Sequence, residues 1–249
     1  MRRAAIVLLL LGTLLFGPAA AQADTALIAV AANFAKPARQ LVGRFAAQTG
    51  HQIQISTGST GNLAAQIRNG APFTIFLAAD ERRPAELASE GLAVPGSRFT
   101  YAVGRLVLWG ADPRWILLDP SASLNDPELK RLAIANPELA PYGRAAEEAL
   151  TALGVWDAVQ PKLVRGEDVG QVFQFVSSGN ADLGFLALSQ VLDQSGSRWE
   201  VPQDLYTPIL QQAVLLGPGK DNAAAKAFLD YVRSEPAREI IGAAGYGVE

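Results

Sequence analysis

Short apolar runs alternate with helical stripes along most of this chain. Residues 26–30 form a continuous apolar run that reads as a buried strand. Beyond it, Phe34, Ala38, Leu41, Val42 and Phe45 fall on one helical face. Asn33 suits the N-cap of that helix, Pro37 is tolerable only in its first turn, and Gly50 closes it. Residues 52–56 alternate as a strand does, and residues 62–68 read as a helix ended by Asn69-Gly70. Residues 72–79 predict a third strand, after which Asp80 caps a helix through Leu87 that stops near Gly91. This β-α-β-α-β-α order predicts a parallel sheet in an α/β fold.

The pattern then changes. Residues 99–109 make one long extended stretch, long enough to leave one domain and enter another. Residues 111–130, rich in Asp, Pro and Ser, read as loop. The βα order resumes with a strand at 132–135, a turn at 136–143 and a helix over 144–153 ended by Gly154. A strand at 162–165, a turn at 166–168, a helix over 169–177 ended by Ser178-Gly179-Asn180, and a strand at 182–188 follow. A second extended stretch, 206–216, has the composition of a return crossing, and helices over about 222–233 and 236–243 finish the chain. The expected organisation is two α/β lobes. The first is discontinuous, 24–104 and 212–249, and the second is 105–211, with crossings near 101–110 and 206–216. No internal repeat at a fixed period and no low-complexity segment interrupts this plan.

The segment before residue 24 fits neither lobe. Met1-Arg2-Arg3, the apolar run 4–17 and Pro18-Ala19-Ala20-Ala21-Gln22-Ala23 have the basic start, short apolar core and A-x-A cleavage site of a secretory signal peptide. Residues 1–23 are therefore expected to be removed after Ala23. An N-terminal membrane anchor is the competing reading, although the run is short for crossing a bilayer. No Cys follows the site, which excludes thioether lipidation. Without Arg2 and Arg3 the basic residues fall from 21 to 19 against 24 acids, a net charge of −5. That balance argues against nucleic acid or an acidic membrane as partner. The absence of Cys excludes disulfides, thiolate metal sites and Cys nucleophiles, so stability must come from a core. The single histidine, His51, follows Gly50 at a helix-to-strand corner, and a His-based metal site or a Ser-His-Asp triad would rest on it alone.

Four strand-to-helix junctions share one design. Ala31-Ala32-Asn33 and Ser59-Thr60-Gly61 belong to the first lobe, and Pro141-Tyr142-Gly143 and Glu167-Asp168-Val169 to the second. In an open parallel sheet such turns lie at the carboxyl ends of the strands, where ligands bind. Each offers free backbone N–H groups beside the positive end of a helix dipole. Ser, Thr and Gly are also ordinary capping and turn residues, so one such turn decides nothing. Four of them facing one cleft would make an anion site. The available donors are neutral: backbone N–H groups, the Asn33 amide and the hydroxyls of Ser59, Thr60 and Tyr142. Arg68 and Arg144 lie farther into their helices and are expected in solvent. Neutral donors suit a small, fully ionised anion. Hydrogen-phosphate would need an acceptor for its proton, which Asp168 or Glu167 could supply, but acids also sit in a helix's first turn for the dipole alone.

At these residues the chain resembles a known family. It is similar to the periplasmic molybdate-binding proteins, soluble receptors of ABC-type molybdate importers, over nearly all of its length after residue 23. The matching stretches are Ala31-Ala32-Asn33-Phe34, Ser59-Thr60-Gly61-Asn62-Leu63-Ala64-Ala65-Gln66-Ile67, Asn69-Gly70-Ala71-Pro72, Leu77-Ala78-Ala79-Asp80, Asn136-Pro137 to Tyr142-Gly143, Glu167-Asp168-Val169 and the closing helices to Gly245-Tyr246-Gly247. The resemblance implies a two-lobed type II periplasmic binding protein of the α/β class, with two parallel or mixed sheets flanked by helices and the ligand cleft between the lobes. It implies a periplasmic monomer that is not an enzyme and takes no cofactor. Its ligand would be molybdate or tungstate, and its partner a membrane permease driven by an ATPase. By position, the family's ligand-binding turns fall on Ala32 and Asn33 and on Thr60, with Ser59 beside it. Backbone donors of the second lobe fall on Tyr142 and Val169. No residue is implied as a direct cation ligand, because the metal enters as the oxyanion. Two departures stand out. Asn33 replaces the Ser of the commonest pattern. Phe185-Leu186-Ala187 stands where some members place a ligand-binding Tyr, which makes the Tyr142 hydroxyl the candidate substitute.

Other readings stay open at this point. The same fold could bind sulfate, phosphate or another small anion, or serve an extracytoplasmic sensor or adhesin. A Ser hydrolase built on Ser59 would lack the G-x-S-x-G elbow. Gly104 reads equally as a hinge or as a strand bulge. Trp109, Trp115, Trp156 and Trp199 read as packing residues, and Arg82-Arg83 as a solvated helix face.

Overall fold

The computed structural model describes residues 23–116 and 120–248. Of the expected signal peptide, only Ala23 falls among the described residues. The chain begins β1 (Thr25–Ala31), α1 (Ala35–Thr49), β2 (Gln52–Gly58), α2 (Thr60–Arg68), β3 (Ile75–Leu77) and α3 (Arg82–Ser89). It continues β4 (Phe99–Gly104), β5 (Leu106–Gly110), α4 (Pro120–Asn125), β6 (Leu132–Ala135), α5 (Pro141–Ala152), α6 (Trp156–Val159), β7 (Leu163–Gly166) and α7 (Val169–Ser177). It ends β8 (Leu183–Ala187), α8 (Leu188–Val191), β9 (Ser197–Glu200), β10 (Ile209–Leu215), α9 (Ala223–Val232) and α10 (Glu235–Ala243). No helix among the described residues is long and apolar enough to cross a membrane.

The strands form two mixed sheets with one plan. The first runs β2-β1-β3-β10-β4 and the second β7-β6-β8-β5-β9. In the first, β1 is parallel to both β2 and β3, while β10 runs antiparallel to β3 and β4. In the second, β6 is parallel to β7 and β8, while β5 runs antiparallel to β8 and β9. Each sheet with its helices makes a lobe. The long stretch read as a crossing is two strands, because β4 ends at Gly104, Arg105 intervenes and β5 enters the other sheet.

Burial explains why the strands read as plain apolar runs. A parallel strand covered on both faces has no solvent side to carry polar residues. Ile28 and Val30 of β1 pack with Phe34, Leu41, Phe45 and Phe228 on one face, and Ala29 packs with Leu63, Phe76 and Leu87 on the other. The second lobe has its own core, in which Leu108, Ile134, Leu150, Val172 and Phe185 are all buried. Gly50, Gly91, Gly154 and Gly179 end their helices at positive φ, as expected of left-handed C-caps.

Several expectations are corrected. Residues 111–130, read as loop, contain α4. The third strand is only Ile75–Leu77 rather than 72–79. The helix expected over 144–153 begins at Pro141, which occupies a position that needs no N–H donor, so Tyr142 and Gly143 lie in its first turn. The second extended stretch becomes regular strand only at Ile209, and residues 209–211 already pair with β4 of the first sheet. Strand β9 escapes an apolar-pattern reading because its sequence is Ser-Arg-Trp-Glu, and it is held by its ladder to β5. The Trp expectation fits the structure: Trp109 and Trp115 are buried, and Trp156 and Trp199 pack against the same core.

Candidate functional site

The carboxyl ends of four parallel strands converge between the lobes. The chain leaves β1 into a short 3-10 turn at Ala32–Phe34, and leaves β2 into α2 through the N-cap Ser59. In the other lobe it passes from β6 into α5 through Ala140, and from β7 into α7 through the N-cap Asp168. A small cavity lies where these ends meet. It is lined by Ala31, Ala32, Asn33, Gly58, Ser59, Thr60, Ala79, Ala140, Pro141, Tyr142, Asp168 and Val169. The structure thus brings Ala32, Asn33, Ser59, Thr60, Tyr142 and Val169 together at one wall-to-wall gap.

The local hydrogen bonds decide which donors remain. The first amides of a helix have no partner within it. At α7, Asp168 Oδ1 accepts from Gly170 N (2.8 Å) and Gln171 N (3.1 Å), leaving the Val169 amide outside the cap. Asp168 is therefore a capping residue, and no exposed acid aimed at a ligand proton is needed to explain it. At α2, Ser59 Oγ accepts from Asn62 N (3.3 Å). Thr60 Oγ1 accepts from Ala79 N (3.1 Å). Each hydroxyl has its oxygen engaged by a backbone N–H and keeps its own proton to donate. At α5, Tyr142 lies in the first turn, where amides have no partner within the helix, and Gly143 lets that turn sit against β6, since a Cβ there would overlap the Ala135 carbonyl. Neither Lys nor Arg lines the cavity. Its positive potential comes from helix N-termini and N–H dipoles.

Two expected side-chain donors are turned elsewhere. Asn33 is buried, and its Nδ2 donates to Gln211 Oε1 (2.9 Å) and to Tyr246 Oη (3.0 Å). Both amide protons are spent inside the protein, so Asn33 can serve a ligand through its backbone N–H and not through its amide group. The Tyr142 hydroxyl accepts from Gln211 Nε2 (3.2 Å) and interacts with Tyr246. It lies against Gly104, where an added Cβ would overlap it. Gly104 thus supplies room for Tyr142. The irregularity in pairing lies elsewhere on β4, at Tyr101, which is skipped between the Gln211–Ala102 and Gln212–Thr100 pairs.

Asn33, Tyr101, Tyr142, Ser189, Gln211 and Tyr246 form one buried polar network behind the cavity. Gln211 Oε1 also accepts from Tyr101 Oη (3.0 Å), and Tyr246 donates to the Asn33 carbonyl (2.8 Å). Ser189 of α8 donates to the same carbonyl (3.0 Å), which ties the second lobe to the first. Burial raises the phenol pKa of Tyr101, Tyr142 and Tyr246 well above the ordinary value, so all three stay neutral. Sequence reading missed Gln211 and Ser189 as site-supporting residues. The available signal was Gln211-Gln212 inside an otherwise apolar strand. It also missed Arg83, expected on a solvated face, whose side chain is buried and paired with Asp80. Arg82, Arg68 and Arg144 are exposed as expected.

Comparison with known proteins follows the same outline. Residues 26–247 match the family model described as bacterial extracellular solute-binding protein. The chain is 51% identical over 234 residues to the molybdate-binding protein of Azotobacter vinelandii, covering 92% of each chain. It is 48% identical over 230 residues to that of Rhodobacter capsulatus, covering 92% of this chain and 90% of the relative. Among solved structures, an Azotobacter vinelandii periplasmic molybdate-binding protein superposes with a TM-score of 0.86 and 42% identity, covering 92% of this chain and 100% of that one. A sulfate-binding protein of Mycobacterium tuberculosis shares the fold with a TM-score of 0.72 at 15% identity, over 90% of this chain and 87% of that one. The chain belongs to the bacterial extracellular solute-binding proteins.

Proposed function

We propose that this member of the family is an extracytoplasmic molybdate-binding protein of an ABC importer. Molybdate, and with it tungstate, is held between the lobes by Ala32, Asn33, Ser59, Thr60, Tyr142 and Val169. The observation that carries the reading is that these six residues line one cavity free of basic side chains, in a chain about half identical to two proteins named for molybdate. Backbone N–H groups of Asn33, Tyr142 and Val169 and the hydroxyls of Ser59 and Thr60 act as donors to a dianion that carries no proton. Helix dipoles offset part of its charge. No bond of the ligand is made or broken. Size separates molybdate from sulfate, because the shorter bonds of sulfate cannot reach all donors of a wider cage, and each unmade hydrogen bond costs affinity. The protein is delivered across the membrane by the signal peptide at 1–23, acts in the periplasm as a monomer, and passes its ligand to a membrane permease.

A thermal melt of residues 24–249 against molybdate, tungstate, sulfate and phosphate tests this. A ligand at about 100 times its dissociation constant adds ~2.7 kcal/mol, a rise of roughly 5–11 °C for a chain of this size. A rise with molybdate and tungstate alone is expected. A rise with sulfate or phosphate instead would overturn the ligand, and no rise with any anion would overturn the binding site.

A further inference from the structure

Where the lobes meet beside the cavity, the first lobe grips the turn that precedes α5. Gly61 N donates to the Leu139 carbonyl (2.8 Å), and Arg83 Nη2 donates to the Glu138 carbonyl (2.6 Å). Gly61 and Arg83 belong to α2 and α3 of the first lobe, while Glu138 and Leu139 belong to the second. Neither Gly61 nor Arg83 lines the cavity. The guanidinium is set for this reach. Its residue is 4% exposed, Nη1 bonds Asp80 Oδ2 (2.5 Å), and Asp80 Oδ1 also accepts from the Arg83 amide (3.1 Å). A buried charge so held is stiff, and its second nitrogen is free to reach across the gap.

Gly61 gives an independent indication. Its φ is not positive and it sits in the first turn of α2, so nothing in its own backbone requires glycine. What requires it is the other lobe. A Cβ at Gly61 would lie 3.0 Å from the Leu139 carbonyl oxygen, 3.1 Å from the Leu139 Cα and 3.2 Å from Nη2 of Arg83, the other half of the contact. The Leu139 atoms are backbone and cannot swing aside, and the Arg83 guanidinium could do so only by leaving the Glu138 carbonyl. The glycine is costly to helix α2 when the lobes are apart and useful only when they touch.

We infer that Gly61 and Arg83 form an interlobe clasp that holds the closed state, positioning the two halves of the anion site without touching the anion. This rests on the reading of the cavity as an anion site. The clasp acts after ligand has entered, so it slows escape and leaves entry unchanged. Gly61→Ala crowds Leu139 only in the closed form, while improving the helix propensity of α2. Arg83→Lys keeps a cation beside Asp80 but cannot bond Asp80 and Glu138 together.

The experiment measures association and dissociation of radiolabelled molybdate with the wild-type protein and both variants, together with the melting temperature of each without ligand. If the wild type ignores molybdate, sulfate or phosphate is used, whichever it binds, so that a wrong ligand does not hide the clasp. Both variants are expected to dissociate about tenfold faster with association within twofold of wild type. Gly61→Ala without ligand should melt no lower than wild type, a combination that a merely structural role cannot give. Wild-type dissociation rates in both variants would overturn the clasp. So would a loss confined to association, or a loss of affinity matched by an equal loss of ligand-free stability.

Discussion

Replacing Gln211 with Leu, a side chain of similar size, tests whether the buried network or the surrounding apolar core holds the back of the cavity. Gln211 is fully buried, and it receives hydrogen bonds from Asn33 Nδ2 (2.9 Å) and Tyr101 Oη (3.0 Å) and donates one to Tyr142 Oη (3.2 Å). The three losses are unequal. Tyr101 can still donate to the Ala78 carbonyl at 3.2 Å. Tyr142 loses an incoming donor but keeps its own proton. Asn33 is left with one buried amide proton and no acceptor. An orphaned buried donor costs about 1–3 kcal/mol, and each ordinary hydrogen bond lost costs about 0.5–1.5 kcal/mol. The sum for Gln211→Leu is about 2–4 kcal/mol, or a fall in melting temperature of very roughly 4–16 °C for a chain of this length. A double-mutant cycle with Asn33→Ala isolates the main term. In that background the orphan no longer exists, so Gln211→Leu should cost at least ~1 kcal/mol less than in the wild type. The assay is thermal and urea unfolding of all four proteins without ligand. A fall under 2 °C for the single variant, or strict additivity of the pair, would refute the assignment of the Asn33 amide to Gln211.

Three further outcomes follow from the same geometry. Tyr142→Phe should hold molybdate within about threefold of wild type by calorimetric titration, since its hydroxyl serves Gln211 and Tyr246, while melting roughly 2–4 °C lower for one lost hydrogen bond of about 1 kcal/mol. A tenfold or greater loss of affinity would return that hydroxyl to the site. Asp168→Ala removes the acceptor for Gly170 N and Gln171 N and should lower stability by about 0.5–2 kcal/mol in urea titrations, with affinity falling as the Val169 amide loses its fixed aim. Unchanged stability would show the cap to be idle. The raised phenols of Tyr101, Tyr142 and Tyr246 favour the protonated folded state, so the unfolded chain loses these protons first as pH rises. Their contribution is fully present below about pH 10 and is lost above it, and a urea midpoint followed from pH 7 to 11 should fall only in the last part of that range.

Much of this protein is determined by local rules that the sequence carries openly. The buried strands are apolar because parallel strands are covered on both faces, and the helix ends carry Gly50, Gly91, Gly154 and Gly179 because only glycine takes the left-handed cap cheaply. The four strand-to-helix turns that hold Ala32, Asn33, Ser59, Thr60, Tyr142 and Val169 were legible because turn chemistry is a matter of neighbours in the chain, although Asn33, read as the N-cap of α1, caps no helix. What the tertiary structure alone decided is where side chains of those turns point and what meets them. The Asn33 amide reads as a ligand donor until Gln211, 178 residues away in the chain, accepts from it, and the Tyr142 hydroxyl reads so until it is found behind the cavity, accepting from Gln211, 69 residues away. Arg82 and Arg83 read alike, yet one lies in solvent and the other is buried across the gap from Glu138. Gly104 reads as a hinge or a bulge and Gly61 as a turn residue, and it is the approach of Tyr142 to one and of Leu139 to the other that requires them to be small. Hydrogen-bond satisfaction and close packing are settled between elements far apart in the chain, and no pattern of neighbouring residues records which distant groups will arrive.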